Sequence, residues 1–407
     1  MANSPLQTNL PEAEPDISVN RLIFIGVITR LVTDTAVQFF FPFLPVIAEG
    51  LRTSTVTAGR LVSLRSAMGL LSPAFGYQAT LRGYRTVMRF GLLLAAVGYL
   101  IVGLSNSVWL TAIGMVLGGL GTFSFIPILQ AYLSAKLPFH RRARGLGMLE
   151  YSWALAGIVG LYLVGLLIDA TNWRVPLFVL SGLLLVAFVG YARLPATNQT
   201  TKPIASQSRF TWRSIVAFFD LGANGRSAYA VLLVISLNMM AAMNVFISYG
   251  TWLDREYGLG AAQLGTAALI LGIADLGGSV LMSLIGDKFG LRRSVVVGTL
   301  ATGIGYALLP AFNQGVVLAV VGLVIARFGF EYTVVALIAL VSEQAPAHRG
   351  KMMTLAAAAA LLGSSTAGLF GPWVYDHYQV MGLSLISATI MAFCLVLLRL
   401  FVRERGD

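Results

Sequence analysis

The chain has 407 residues, 57% hydrophobic and 11% charged, with mean hydropathy +0.80. A soluble domain carries about 25% charged residues, so a soluble fold is excluded. The formal net charge of +11 raises nucleic acid as a partner, but the placement of the basic residues, described below, rejects it.

Residues 1–20 carry Glu12, Glu14 and Asp16 among Pro5, Pro11 and Pro15, with no basic stretch. They read as a short disordered cytoplasmic tail and not as a cleavable signal peptide. Six apolar runs follow, at 22–47, 58–80, 87–104, 108–135, 145–168 and 175–193. Each is close to the roughly 20 residues that cross a bilayer as a helix. They do not alternate every second residue, as barrel strands would. Gly114 and Gly118 form a Gly-x-x-x-Gly pair suited to close helix approach.

Residues 195–226 are the long polar interruption. Pro195 to Pro203 has loop composition, and Arg209, Arg213 and Arg226 flank Trp212 and Phe218-Phe219 like an amphipathic segment on a membrane face. Six further apolar runs follow, at 228–252, 262–286, 294–311, 315–342, 352–374 and 381–402. Cys394, the single cysteine, lies in the last of them and reads as packing; it excludes an internal disulfide.

The expected fold is therefore an all-α membrane protein with twelve transmembrane helices. It comprises a tail (1–20), an N-terminal six-helix bundle (21–194), a linker (195–226), a C-terminal six-helix bundle (227–402) and a tail (403–407). With the N-terminus inside, only Arg52, Arg60, Arg174 and Arg255 fall at the outer face, and Arg30, Arg65 and Arg327 lie within spans. The other basic residues are inner, which places both termini in the cytoplasm.

The two halves repeat. Thr80-Leu81-Arg82-Gly83-Tyr84-Arg85 is echoed by Asp287-Lys288-Phe289-Gly290-Leu291-Arg292-Arg293, with Gly83 and Gly290 207 residues apart. Pro138-Phe139-His140-Arg141 is echoed by Pro346-Ala347-His348-Arg349 at a spacing of 208, and Asn106 by Asn313 at 207. One offset at three landmarks indicates internal duplication, a pattern common in transporters.

These loops resemble those of the major facilitator superfamily, which carries Gly-x3-Asp-Arg/Lys-x-Gly-x-Arg/Lys-Arg/Lys after its second span and often again after its eighth. The second copy keeps Asp287, Lys288, Gly290, Arg292 and Arg293; the first keeps Gly76, Gly83 and Arg85 but has Thr80 at the acidic position. Trp173-Arg174-x-Pro176-x-Phe178 is another phrase common in the family. Asp34-x7-Pro42-x-x-Pro45 is similar to a pattern in its drug–proton antiporters, although Met115 stands where that branch often has arginine. The resemblance implies two bundles rocking about a central cavity, with spans 3, 6, 9 and 12 facing lipid. Those four spans carry no charge in their interiors.

Charges inside a membrane cost at least about 2.5–3.5 kcal/mol on insertion scales. Arg30 and Asp34 are four apart and share a helix face, as do Arg327 and Glu331. Each pair reads either as a same-helix ion pair or as a proton or substrate site. Asp275 lacks a partner in its own helix, and Arg65 on the matching span is expected to meet it across the cavity. Glu150 reads as reaching the inner surface or loop arginines. Gln38, Phe39, Phe123, Asn238, Asn244, Tyr249 and Tyr332 are candidates to contact an amphipathic organic substrate. An inner gate is expected at Gly83, Arg85, Asp287, Lys288, Gly290, Arg292, Arg293 and Glu343, with Asp287 placed to hold the start of span 11. Glu343 maps onto Ala135, so the first half lacks both acids of this unit.

The sequence thus reads as a monomeric plasma-membrane transporter, set in the lipid bilayer, that moves a small organic compound outward in exchange for protons. A proton symporter or uniporter, and a non-transporting sensor, stand as alternatives. No P-loop, His-Glu-x-x-His or Gly-x-Ser-x-Gly is present, so an enzyme is not expected, nor is any cofactor or metal.

Overall fold

The computed structural model describes residues 19–137, 139–194, 221, 224–344 and 349–402, without the side chains of 19, 80, 139–146, 287 and 349. The tails at 1–18 and 403–407, most of the linker and the two Pro-x-His-Arg phrases therefore lie wholly or partly outside the described residues. Among the described residues every regular element is helical.

The first half contains α1 (Val19–Gln38), α2 (Leu44–Gly50), α3 (Thr55–Ala67), α4 (Ser72–Arg82), α5 (Tyr84–Leu104), α6 (Val108–Lys136), α7 (Phe139–Leu155), α8 (Tyr162–Ala170) and α9 (Val175–Gly190). The second contains α10 (Gly225–Phe246), α11 (Tyr249–Tyr257), α12 (Ala261–Phe289), α13 (Leu291–Phe312), α14 (Val316–Gln344) and α15 (Arg349–Leu400). Nine described helical stretches are long and apolar enough to cross a membrane. The 52-residue α15 holds the last two apolar runs and breaks at Gln379, where φ is 51° and ψ is −149°.

The difference from twelve expected runs has local causes. The first run is interrupted between α1 and α2, a stretch containing Pro42 and followed by Pro45. The second passes through a tight turn at Met68–Leu71 before Pro73 restarts the helix as α4. Proline removes a donor and clashes with the preceding turn, so helices restart at it more readily than they run through it. Between α7 and α8, Ala156–Leu161 forms a wider π turn containing Gly157 and Gly160.

Glycine sets the closest packing. A methyl on Gly98 of α5 would overlap the backbone nitrogen of Gly118 in α6, and one on Gly121 would overlap that of Ala95. These two helices therefore meet backbone to backbone. The repeated glycines share a conformation: Gly83 has φ 83° and ψ 147°, Gly290 φ 81° and ψ 142°. A side chain is disfavoured at that φ, so both glycines are required by the turn.

Contacts between the two halves concentrate toward the end of the molecule that carries Arg52 and Gly258. There Gly59 packs on Pro372 and Gly250 on the carbonyl of Pro42, while Ser63 donates to the carbonyl of Ser365. Arg255 pairs with Asp376 at 2.6 Å and reaches Thr55 at 3.3 Å. Gly165 faces Gly265, and Gly157 faces Gly272, along the α8–α12 seam. Toward the Gly83 end, Tyr77, Leu81, Met148 and Leu284 are exposed.

The packing predicts opposite outcomes at two glycines. Gly98→Ala should lower stability by about 1–3 kcal/mol through overpacking. Gly76→Ala meets nothing within 4 Å and should be neutral or gain up to about 1 kcal/mol. Thermal unfolding of the purified variants checks the order; a reversed ranking contradicts the α5–α6 packing.

Candidate functional site

Two charge networks lie inside the helices, one in each half. In the first, Arg30 of α1 makes a forked pair with Glu150 of α7, Nη1 to Oε1 at 2.8 Å and Nη2 to Oε2 at 2.9 Å. Its Nε lies 3.4 Å from Asp34, one turn along α1. Asp34 also accepts from Ser152 Oγ at 2.5 Å, and Glu150 from Gln130 Nε2 at 2.7 Å. Arg30 and Asp34 are buried, whereas the Glu150 side chain is 56% exposed. Arg30 thus joins a fully buried carboxylate to a solvated one.

The second network joins α12 to α14. Arg327 donates through Nε to Asp275 Oδ1 at 2.5 Å and through Nη2 to Oδ2 at 2.7 Å. Its guanidinium lies 4.1 Å from the ring centre of Phe246. Both partners are buried. A planar guanidinium matches a carboxylate with two parallel hydrogen bonds, which makes this among the stronger pairings available to a buried charge. Glu331, one turn further along α14, instead accepts from Ser279 Oγ at 2.9 Å.

These findings revise two expected pairings. Asp275 is held by Arg327 and not by Arg65, because Arg65 turns into the first half. Its Nη1 points at the Ala36 carbonyl at 3.5 Å, and its guanidinium lies 4.9 Å from the centre of Phe40. Arg327 uses its fork on Asp275, so the expected Arg327–Glu331 pair is not formed. Glu150, expected at the inner surface or on loop arginines, is half-exposed and meets Arg30; the side chains of Arg141, Arg142 and Arg144 lie outside the described residues.

A narrow cavity lies between the halves. Gln38, Phe41 and Leu161 line it from the first half, and Tyr249, Asp275 and Arg327 from the second. Four sequence candidates are thereby brought together: Gln38, Tyr249, Asp275 and Arg327. Gln38 is positioned by donating Nε2 to the Trp153 carbonyl at 2.8 Å. Phe41 and Leu161 were missed, since an apolar residue in a span carries no signal of cavity or core.

The other substrate candidates do not line this cavity and make contacts within the bundles. Phe39 is fully buried against Phe40 and Phe43. Asn244 donates to the Leu383 carbonyl and to Ser387 Oγ, tying α10 to α15. Asn238 approaches the Met391 sulfur at 4.0 Å, and Tyr332 packs over Gly298. Phe123 sits beside Gly69.

At the loop motif, Arg85 donates to the Leu194 carbonyl at 2.9 Å, and Arg292, 207 residues later, reaches the carbonyls of Leu398 and Arg399 at 3.4 Å. The Asp287 side chain lies outside the described residues. Lys288, Arg293 and Glu343 are exposed. Glu343 makes no hydrogen bond or ion pair among the described residues, so it does not complete the expected cluster. Ala135 and Arg85 show that the first copy keeps the carbonyl clamp without the acids. No group of three or more His, Cys, Asp or Glu among the described residues is arranged to hold a metal.

The family model described as Major Facilitator Superfamily matches residues 26–235 and 231–407. The chain belongs to the Major Facilitator Superfamily. It is 25% identical to the uncharacterized MFS-type transporter YceJ of Bacillus subtilis (strain 168), over 89% of this chain and 91% of that one. It is 24% identical to the multidrug resistance protein MdtG of Serratia proteamaculans (strain 568), over 69% of each. Its fold matches a D-xylose–proton symporter with TM-score 0.76 and 17% identity, covering 94% of this chain and 98% of the other. It also matches an inward-open xylose transporter XylE from E. coli, with TM-score 0.75 and 16% identity, covering 96% and 98%. This superfamily member is a multi-pass membrane protein and not an enzyme.

The α12–α14 pair predicts a test. Asp275→Asn strands the buried Arg327 charge and should cost about 3–5 kcal/mol. Asp275→Leu combined with Arg327→Met removes both charges and should cost less than the single change. Thermal unfolding of the three proteins decides; a double variant weaker than Asp275→Asn would remove the paired-charge account.

Proposed function

We propose that this protein is a twelve-span secondary transporter of the plasma membrane, with both termini cytoplasmic, acting as a monomer. Its two six-helix bundles, 21–194 and 227–402, derive from an internal duplication and rock about the central cavity. Residues 1–20 and 403–407 are tails, and 195–226 links the bundles. The 207-residue spacing supports the duplication, as do the matched backbone angles at Gly83 and Gly290 and the matched arginine clamps.

The observation that carries the reading is the cavity itself. Residues of both halves line it, and a buried ion pair, Asp275–Arg327, forms part of its wall. A membrane helix tolerates such charges where they face a cavity or one another. The mixture of Gln38, Phe41, Tyr249 and the ion pair suits a small organic compound with apolar and polar parts. The tight contacts near Arg52 and the exposure near Gly83 support a state closed outside and open to the cytoplasm.

Proton-coupled efflux is the direction we favour. Asp34 shares Arg30 with the solvated Glu150, and Glu331 lies beside the cavity pair without a cation of its own. Movement of Arg30 between its two carboxylates would change the proton affinity of the one it leaves. Similarity to the MdtG proteins supports efflux over uptake. Asp287, Lys288, Arg292 and Arg293 are assigned to the inner gate, with Arg85 the corresponding clamp of the first half.

Purified protein in proteoliposomes tests the coupling. Transported compounds should drive a pH change across the membrane, and Asp34→Asn and Glu331→Gln should each abolish most of it while binding persists. If both variants move protons as the wild type does, neither residue is the carrier. If the well-folded wild type moves no compound across a broad panel, the sensor alternative gains.

A further inference from the structure

Three arginines are buried in the described residues: Arg30, Arg65 and Arg327. Arg30 and Arg327 have carboxylate partners. Arg65, on α3 and 1% exposed, has none among the described residues. Its Nη1 makes one long bond to the Ala36 carbonyl at 3.5 Å, and its Nε–H has no acceptor. Tyr99 lies against it, with its hydroxyl 3.1 Å from Thr122 Oγ1.

A guanidinium keeps its proton at any accessible pH. It therefore cannot escape burial by neutralising, as a carboxyl or an amine does. A buried charge without a counter-charge is strongly unfavourable. A carbonyl dipole, an aromatic face and a phenol solvate the charge without cancelling it.

The second half shows what completes such an arrangement. Arg327 lies over Phe246 and next to Tyr306, as Arg65 lies over Phe40 and next to Tyr99. Phe40 and Phe246 are 206 residues apart, and Tyr99 and Tyr306 are 207 apart. The two guanidinium groups thus occupy repeat-related boxes, although they come from different helices. In the second box Asp275 supplies the negative charge. The position 207 residues before Asp275 is Met68, which supplies none.

We propose that Arg65 is the centre of an anion site that binds a small monovalent anion of the chloride class. The ion takes the place that the Asp275 carboxylate holds in the second half. It is bound by the Arg65 guanidinium, including the unused Nε–H, beside Phe40 and Tyr99. A single positive charge selects a monovalent ion, and complete burial selects one of few atoms. The bound ion neutralises Arg65 as Asp275 neutralises Arg327, independently of what the central cavity carries.

The test exchanges anions around the purified full-length protein in detergent at constant ionic strength. Replacing gluconate with chloride, bromide or nitrate should raise Tm saturably, by about 2 °C or more. Arg65→Lys, which keeps the charge, should retain a rise. Arg65→Met, which removes it, should show none and should match or exceed the wild type in gluconate. Crystals grown in bromide should give an anomalous peak beside the Arg65 guanidinium, a readout that needs no variant. No anion-dependent rise in the wild type, an undiminished rise in Arg65→Met, or bromide peaks elsewhere with none at Arg65 would each overturn the site. So would tyrosinate absorbance at neutral pH that Tyr99→Phe abolishes, since Tyr99 would then be the counter-ion.

Discussion

A charge inside an apolar bundle must meet an opposite charge or enough dipoles to replace water, and the interior of this protein is organised around that demand. Arg30 ties α1 to α7 through Glu150, and Arg327 ties α14 to α12 through Asp275. Helices in a membrane gain little from hiding apolar surface, because lipid is as apolar as they are. The buried pairs therefore do more to fix neighbours and register than an equal number would in a soluble core. The glycine contacts then set how closely those neighbours approach.

The two networks answer the same demand differently. Asp275 and Arg327 are both dry and matched atom for atom, an arrangement that resists change. Arg30 gives both of its hydrogen-bonded donors to the exposed Glu150 and lies 3.4 Å from the buried Asp34 without a hydrogen bond, an arrangement in which a modest movement alters who holds the charge. One half therefore carries the more rigid network and the other the more adjustable one.

The architecture was legible from the chain because its signals are local or periodic: long apolar runs, a constant repeat offset, and glycines at turns that demand positive φ. Arg30 and Asp34 were also legible, since a spacing of four fixes proximity on any helix. Partners across helices were not. Asp275 and Arg327 are 52 residues apart on neighbouring helices, and nothing in either segment states which acid the guanidinium will turn toward. Arg65 was assigned to the wrong half for the same reason. Asn244 illustrates a second limit: an amide within a span signals unmet hydrogen bonds, yet it met them on α15, away from any cavity. The helix break at Pro42 was hidden because apolar composition continues across it, whereas the break at Gln379 falls in the expected gap between the runs 352–374 and 381–402.

The links between helices at the Arg52 end are uniformly brief. They comprise residues 51–54, 105–107, 171–174 and 258–260, then 313–315, and finally the single residue Gln379. That face of the molecule consists almost entirely of helix ends. It offers little purchase to a protease, an antibody loop or a folded binding partner, and no room for a modifying group to be carried on a flexible arm. A partner approaching from that side therefore meets mainly rigid helix ends, and the longer flexible segments available to it are few.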